Sequence, residues 1–162
     1  SNCRKIIAVD ISNEKLNLAK QLGATDAINP LNVNVENTIM DITNGDGVDY
    51  SVEAAGRIET IELSFKLIKH KGGKCIFASH PSEGEKIELD PHQLILGKSI
   101  QGSWGGGSRP DEDVPKLANI YNKGGLPLEK LVNKVYSLND INQALEDLEN
   151  NKVFRPIISF ND

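Results

Sequence analysis

Short apolar segments rich in β-branched residues alternate with segments of helical periodicity along most of this chain. The first such segment, residues 5–10, has isoleucine or valine at three positions, and apolar residues at helical spacing follow it. Strands separated by helices of this length form right-handed crossover units, whose neighbouring strands run parallel. The alternation therefore predicts an α/β domain with a mostly parallel sheet and helices on both faces.

The same periodicity gives the predicted elements. Strands are predicted over residues 5–10, 24–28, 48–53, 74–78, 99–103, 131–136 and 155–160. Helices are predicted near residues 13–22, 35–42, 58–68, 91–96, 114–121 and 141–148. The last helix is expected to begin after an Asn139-Asp140 cap and to turn its apolar side chains inward, namely Ile141, Leu145 and Leu148.

A run of three glycines gives the sharpest break in the pattern. Gly105-Gly106-Gly107 precedes Ser108-Arg109-Pro110 and predicts a division of the chain into residues 1–104 and 105–162. The run lacks the Gly-Lys-Ser/Thr ending of a phosphate-binding loop, and no helix is predicted immediately after it. It is therefore interpreted as a hinge or a close backbone approach.

Composition excludes several classes of function. The 162 residues include 18 basic and 23 acidic side chains, a net charge of −5, which argues against nucleic-acid and anionic-membrane partners. No apolar run approaches the roughly 20 residues of a membrane span, and the first residues lack a signal-peptide hydrophobic region. Two cysteines and three scattered histidines predict neither a disulfide framework nor a metal site. We expect a cytoplasmic, thiol-reduced protein.

Asp10 is the strongest chemical feature, because it ends the first predicted strand. In dinucleotide-binding folds an acid at the end of the second strand accepts hydrogen bonds from the adenosine ribose. That carboxylate repels a 2′-phosphate and so favours NAD over NADP; the alternative is a plain turn or cap residue. The glycine fingerprint expected about 20 residues before it is not in this chain, since only nine residues precede Asp10. Either the fold does not bind dinucleotides, or the chain is a portion of one that does.

One ordered set of segments extends over essentially the whole chain. The segments are 6–11, Lys15, 22–30, 47–50, 53–56, 105–106, 113–117, 140–144 and Arg155. In this collinear order they resemble the coenzyme domain of zinc-type, medium-chain alcohol dehydrogenases, and the ordered set carries the resemblance.

The resemblance implies NAD-dependent, zinc-assisted hydride transfer between an alcohol and its aldehyde or ketone. It also implies a Rossmann-like sheet, with residues 1–104 as a partial NAD-binding domain. Residues 105–162 would be a tail returning toward a catalytic domain outside this chain. The cofactor-binding residues it implies are Asp10, Lys15, Ala54, Phe77, Ala78, Ser79, Ser103, Gly105 and Arg155.

These residues fall into groups by their implied roles. Asp10 and Lys15 would contact the adenosine ribose, and Ala54 would line the adenine and ribose cleft. The three residues 77–79 would lie beside the nicotinamide ribose and ring. The backbone of Ser103 and Gly105 would hold the carboxamide. Arg155 would reach the pyrophosphate, for which a guanidinium fork is well suited.

The zinc ligands, proton relay, first strand and glycine loop of that family are not in this chain. We therefore expect the chain by itself to hold no zinc and to lack dehydrogenase activity. Residues 5–10 and 48–53 should each have an unpaired edge, and the resemblance implies a homodimer through Ser99–Ser103. The alternatives are a zinc-free quinone or enoyl reductase, a non-catalytic nucleotide-binding module, or a methyltransferase, which would not carry a tail over residues 114–160.

Overall fold

The chain folds into two compact units, residues 1–108 and 109–162, in a computed structural model that describes residues 3–160. The strands are β1 (Ile7–Val9), β2 (Asp26–Ile28), β3 (Tyr50–Glu53), β4 (Lys74–Phe77), β5 (Ser99–Gly102), β6 (Lys134–Ser137) and β7 (Pro156–Ser159). The α-helices are α1 (Asn13–Gln21), α2 (Val35–Ile42), α3 (Ile58–Leu67), α4 (Pro91–Ile95), α5 (Pro110–Asn122) and α6 (Ile141–Glu149). The division falls after Ser108, four residues beyond the predicted one.

All strand pairs in the described residues are parallel, which confirms the predicted α/β class. β1 pairs with β2, β4 lies between β3 and β5, and β6 pairs with β7. Each predicted strand is present, although several are shorter at their first residues. Ile6, for example, bonds through its amide to the Thr25 hydroxyl at 2.9 Å, and Val48 forms a single bridge to Ile68 after α3.

β1 and β3 each have one hydrogen-bonded neighbour within residues 3–160, and they are not bonded to each other. This is the pair of open edges expected for a sheet in which one strand is missing between them. The two sheet fragments nevertheless share an apolar core. Ile28 of β2 packs with Val35 and Ile39 of α2 and Leu67 of α3, and Ile7 of β1 lies against that cluster.

A second apolar cluster lies beneath the three-stranded sheet. Phe65 and Ile68, at the end of α3 and just after it, pack against Cys75 of β4, and Leu89 and Ile100 cover the cluster. Phe65 and Cys75 are 2% and 1% exposed. The crossover from β3 to β4 through α3 is therefore the best-packed part of the first unit.

The ends of α1 and α5 follow the expected local chemistry. The Ser12 hydroxyl accepts the Lys15 amide at 3.3 Å, and α1 ends before Gly23, which has φ +108°. α5 begins at Pro110, four residues before the predicted start, because proline suits the first helical turn. Among residues 3–160, every helix is too short or too polar to cross a membrane.

The predicted inward face of α6 is wrong. Ile141, Leu145 and Leu148 are 40–55% exposed, whereas Ala144 and Asp147 are buried. Ala144 packs with Tyr136 of β6 and with Val153, so a helix face containing a carboxylate meets the two-stranded sheet.

Hydrogen bonding explains why Asp147 is tolerated there. Its carboxylate accepts the Tyr136 hydroxyl at 2.7 Å, and the amines of Lys134 and Lys152 lie 3.2 and 3.3 Å away. The Tyr136 hydrogen bond and the neighbouring Lys134 hold the pKa of Asp147 well below its usual range. α6 begins at Ile141, directly after Asp140 as predicted, but the Asp140 carboxylate accepts the Ser137 hydroxyl and makes no hydrogen bond to a helix amide.

Candidate functional site

The structure collects most of the predicted cofactor residues at strand ends of the first unit. Ala54 follows β3, and Ser103 follows β5. Phe77 ends β4, with Ala78 and Ser79 directly after it. Because β3, β4 and β5 are parallel neighbours, these ends lie at one edge of the sheet.

Backbone hydrogen bonds join the end of β4 to the ends of β5 and β3. The Ser103 amide donates to the Phe77 carbonyl at 2.9 Å, and the Ala78 amide donates to the Glu53 carbonyl at 2.8 Å. A Cβ at Gly102 would lie 2.9 Å from the Phe77 ring, so any larger residue there would require this ring to shift. The small residues 54 and 78 are exposed and leave the edge open to a ligand.

Asp10 and Lys15 form a second group, at the end of β1 and in the first turn of α1. Asp10 Oδ1 accepts the Ser12 amide at 2.8 Å, and Oδ2 accepts no hydrogen bond from the described residues. Asn29, at the end of β2, donates to the Ile11 carbonyl at 3.0 Å and steadies the same turn. Asp10 therefore combines a turn role with a carboxylate oxygen available to a hydroxyl ligand.

Gly105 and Arg155 are the remaining predicted residues. Gly105 begins a short 3-10 helix, Gly105–Gly107, in which all three glycines have positive φ between 55° and 72°. α5 begins at Pro110, so a helix follows the glycine run more closely than predicted. Arg155 is exposed and belongs to the second unit, just before β7.

A buried carboxylate behind the edge was not singled out from the sequence. Glu53, the last residue of β3, is 3% exposed. Its Oε1 accepts the amides of Ala55 at 2.7 Å and Gly56 at 2.9 Å, and the Thr60 hydroxyl at 2.8 Å. The Ser79 hydroxyl donates to its Oε2.

These donors determine the charge of Glu53. Burial by itself disfavours the carboxylate, but the hydrogen bonds from Ser79, Thr60 and the two amides outweigh it and lower the pKa. The group is therefore ionised at neutral pH. An acidic residue followed by Ala-Ala-Gly at a strand end was the only sequence signal for this arrangement.

Lys98 is a second buried charge missed by sequence reasoning, and its role is structural. Its amine donates to the Lys66 carbonyl at 2.7 Å and to the Gln93 side chain at 2.8 Å, near the end of α3. Burial lowers the pKa of this amine. The lysine satisfies carbonyls that a helix end leaves without partners.

An aromatic contact lies beside the same edge. The rings of His80 and Trp104 meet edge to face, with centroids 4.5 Å apart, and Trp104 is exposed. Metal-binding side chains, in contrast, are not grouped. Within residues 3–160 no three His, Cys, Asp or Glu side chains are placed to hold a metal ion.

Comparison with known proteins adds to this geometry. The chain matches the family described as zinc-binding dehydrogenase over residues 1–123. It is 38% identical over 158 residues to the alcohol dehydrogenase class-2 isozyme 2 of Oryctolagus cuniculus, covering 96% of this chain and 41% of that protein.

Solved structures share the fold. Benzyl alcohol dehydrogenase from Acinetobacter calcoaceticus superimposes with a TM-score of 0.90 at 34% identity, over 96% of this chain and 42% of that one. A protein from Sinorhizobium meliloti 1021 described as a zinc-binding dehydrogenase was solved bound to NADP. It superimposes with a TM-score of 0.78 over 88% of this chain and 41% of that one, but at 24% identity it establishes the fold alone.

These matches cover most of this chain but less than half of each relative. The chain spans about 41% of the length of the curated relative that it matches. The match therefore does not establish that this chain has the activity of that relative. The family match covers 123 of the 162 residues and the fold is the Rossmann-like one of the structural neighbours. The chain therefore belongs to the zinc-binding dehydrogenase family.

Proposed function

We propose that this chain is the coenzyme-binding portion of an NAD-dependent alcohol dehydrogenase, which interconverts an alcohol and its aldehyde or ketone. The observation that carries the proposal is Asp10, whose carboxylate follows β1 and uses only Oδ1 in hydrogen bonds with residues 3–160. A carboxylate in that position accepts ribose hydroxyls and repels a 2′-phosphate. The names of the relatives favour an alcohol dehydrogenase over a quinone or enoyl reductase.

The remaining residues fit the other parts of the dinucleotide. When bound, NAD supplies the nicotinamide ring that accepts or returns a hydride. Asp10 and Lys15 would orient the adenosine ribose, and Ala54, which is exposed, would line the adenine and ribose cleft. Residues 77–79 would support the nicotinamide ribose and ring. The backbone of Ser103 and Gly105 would hold the carboxamide, and Arg155 would pair with the pyrophosphate.

Zinc does not fit the residues of this chain. Structural zinc needs four ligands and catalytic zinc three, and residues 3–160 offer no such group. We therefore assign no zinc-dependent step to these residues, and propose that the chain alone neither holds zinc nor turns over substrate. The free thiols Cys3 and Cys75 support a reducing, cytoplasmic location.

Binding of NADH tests the proposed function directly. Trp104 is the only tryptophan of the chain and follows Ser103 at the proposed nicotinamide end. We expect NADH to quench Trp104 emission and to emit by energy transfer, with NADPH binding more weakly. Fluorescence titration and calorimetry measure both affinities. If NADH changes neither the emission of Trp104 nor the calorimetric signal, the proposal is wrong.

We further propose a homodimer through residues 99–103. β5 pairs with β4 and, within the described chain, with no strand on its outer side. An open strand edge recruits another chain, and a two-fold axis there would continue the sheet across two subunits. Light scattering should give twice the mass of one chain. A monodisperse monomer at micromolar concentration would contradict this assembly.

A further inference from the structure

Glu53 is a buried charge that no cation neutralises. None of the ion pairs formed by residues 3–160 includes it, although its side chain is almost completely covered. Burying a carboxylate is costly unless hydrogen bonds replace its water. Here four donors do so, and they come from both sides of the proposed nicotinamide edge.

Three of the four donors belong to the two loops that line this edge, and the fourth, Thr60, lies in α3. The Ala55 and Gly56 amides belong to the loop after β3, and the Ser79 hydroxyl belongs to the loop after β4. The loops also touch directly, since a Cβ on Gly56, which has φ +78°, would lie 3.5 Å from the Ser79 Cβ. Glu53 therefore sets the separation of the loops that carry Ala54 and Ser79.

The same contact determines whether the Ser79 hydroxyl donates or accepts a hydrogen bond when a ligand binds. A serine hydroxyl has a single proton, and an ionised carboxylate can only accept hydrogen bonds. Since Ser79 donates its proton to Glu53, the half-buried hydroxyl has only lone pairs left for a ligand. It can bind hydroxyl or amide N–H donors, but not a carbonyl or phosphate oxygen.

We propose that Glu53 is a positioning residue of the dinucleotide site, which holds Ser79 as a hydrogen-bond acceptor for donor groups on the nicotinamide side of the cofactor. This inference rests on the proposed function, because it takes the edge formed by β3, β4 and β5 as the nicotinamide end. Glu53 itself touches no cofactor atom in this arrangement. It acts through the Ser79 hydroxyl, to which it is hydrogen-bonded.

Glu53→Gln is the direct test, because it keeps the shape of the side chain and removes the charge. The new amide N–H₂ can donate to the Ser79 oxygen. The serine proton is then free to be donated to the ligand, so Ser79 changes from a hydrogen-bond acceptor to a donor. We expect the Kd for NADH to rise about tenfold, the equivalent of one or two lost hydrogen bonds. In a Ser79→Ala background the same change should leave the Kd unaltered, because the residue through which Glu53 acts is gone.

Asp147→Asn is the matched control. Asp147 is also a buried, hydrogen-bonded carboxylate, but its partners lie within the second unit. Both substitutions should lower the melting temperature, whereas Glu53→Gln alone should change NADH affinity. If Glu53 had a purely structural role, Glu53→Gln would lower stability, but its effect on the Kd for NADH would not depend on Ser79.

The outcomes separate the two proposals. If the unsubstituted chain fails to bind NADH, the proposed function is wrong and the inference is wrong with it. If the unsubstituted chain binds NADH and Glu53→Gln binds it equally well, only the inference is overturned. The inference is also overturned if Glu53→Gln weakens NADH binding by the same factor in the Ser79→Ala background. Should Glu53→Gln not fold, Ser79→Ala decides, because the proposal requires it to weaken NADH binding by a similar factor.

Discussion

Replacing Asp10 with serine is expected to reduce the preference for NADH over NADPH by roughly 10- to 150-fold. Hydrogen bonds to a charged acceptor contribute about 1.5–3 kcal/mol, and at least one such bond to the ribose is lost. The substitution also removes a negative charge that would face the 2′-phosphate of NADPH. Titration calorimetry with both cofactors measures the ratio of the two Kd values.

Asp90→Ser is the matched control for this experiment. Asp90 Oδ1 accepts the His92 amide at 2.9 Å, the same local contact that Asp10 Oδ1 makes with Ser12 at 2.8 Å. If Asp10 is only a turn residue, the two substitutions should affect stability similarly and leave the NADH to NADPH ratio unchanged. An unchanged ratio in Asp10→Ser would therefore contradict its cofactor role.

Truncating Phe65 to alanine is expected to lower the free energy of unfolding of the first unit by about 3–5 kcal/mol. The ring is 2% exposed, and it fills the space between α3 and β4 with Ile68 and Cys75. The loss combines the transfer of the ring with the cavity left behind. It is a large part of the roughly 5–15 kcal/mol that stabilises a typical domain. Urea unfolding followed by circular dichroism measures it.

Ile61→Val provides the comparison within the same helix. Ile61 is also almost fully buried, and removal of one methylene should cost about 0.5–1.5 kcal/mol. A loss at Phe65 no larger than that at Ile61 would show that the second cluster can collapse around the missing ring. In that case the crossover through α3 would not be the main source of stability in the first unit.

The fold class and the order of elements could be predicted because they depend on local patterns. Apolar β-branched runs, helical spacing and the glycines after helices lie within a few residues of the elements they define. Strand ends were less predictable, because they depend on distant partners. Ile6 lies outside β1, where its amide bonds the Thr25 hydroxyl, and Val48 lies outside β3, where it pairs with Ile68.

The orientation of α6 shows where periodicity is misleading. Its apolar side chains recur at helical spacing, which predicts an inward stripe. The structure instead buries Asp147, which is stabilised by donors from β6 and from Lys152. Those donors come from outside the helix, so the sequence of α6 alone could not reveal them.

The sequence predicted some residues of the candidate site and missed others. Asp10 could be found because strand-end acids have a known chemical use, and the structure places it at that strand end. Glu53 was missed because an acid at the end of a strand is ordinarily exposed. Its burial depends on Ser79, which lies 26 residues further along the chain. A role of this kind appears only once the two strands are paired.

The position of β4, with a strand on each side, makes Cys75 a kinetic reporter of opening in the first unit. Burial raises the pKa of the Cys75 thiol, so the reactive thiolate is scarce while the sheet is intact. Cys3 is exposed and reacts without any opening. A thiol reagent would thus modify Cys3 at a rate set by its own chemistry, and Cys75 at a rate set by separation of the strands. One unlabelled sample then yields the frequency with which this sheet opens under native conditions.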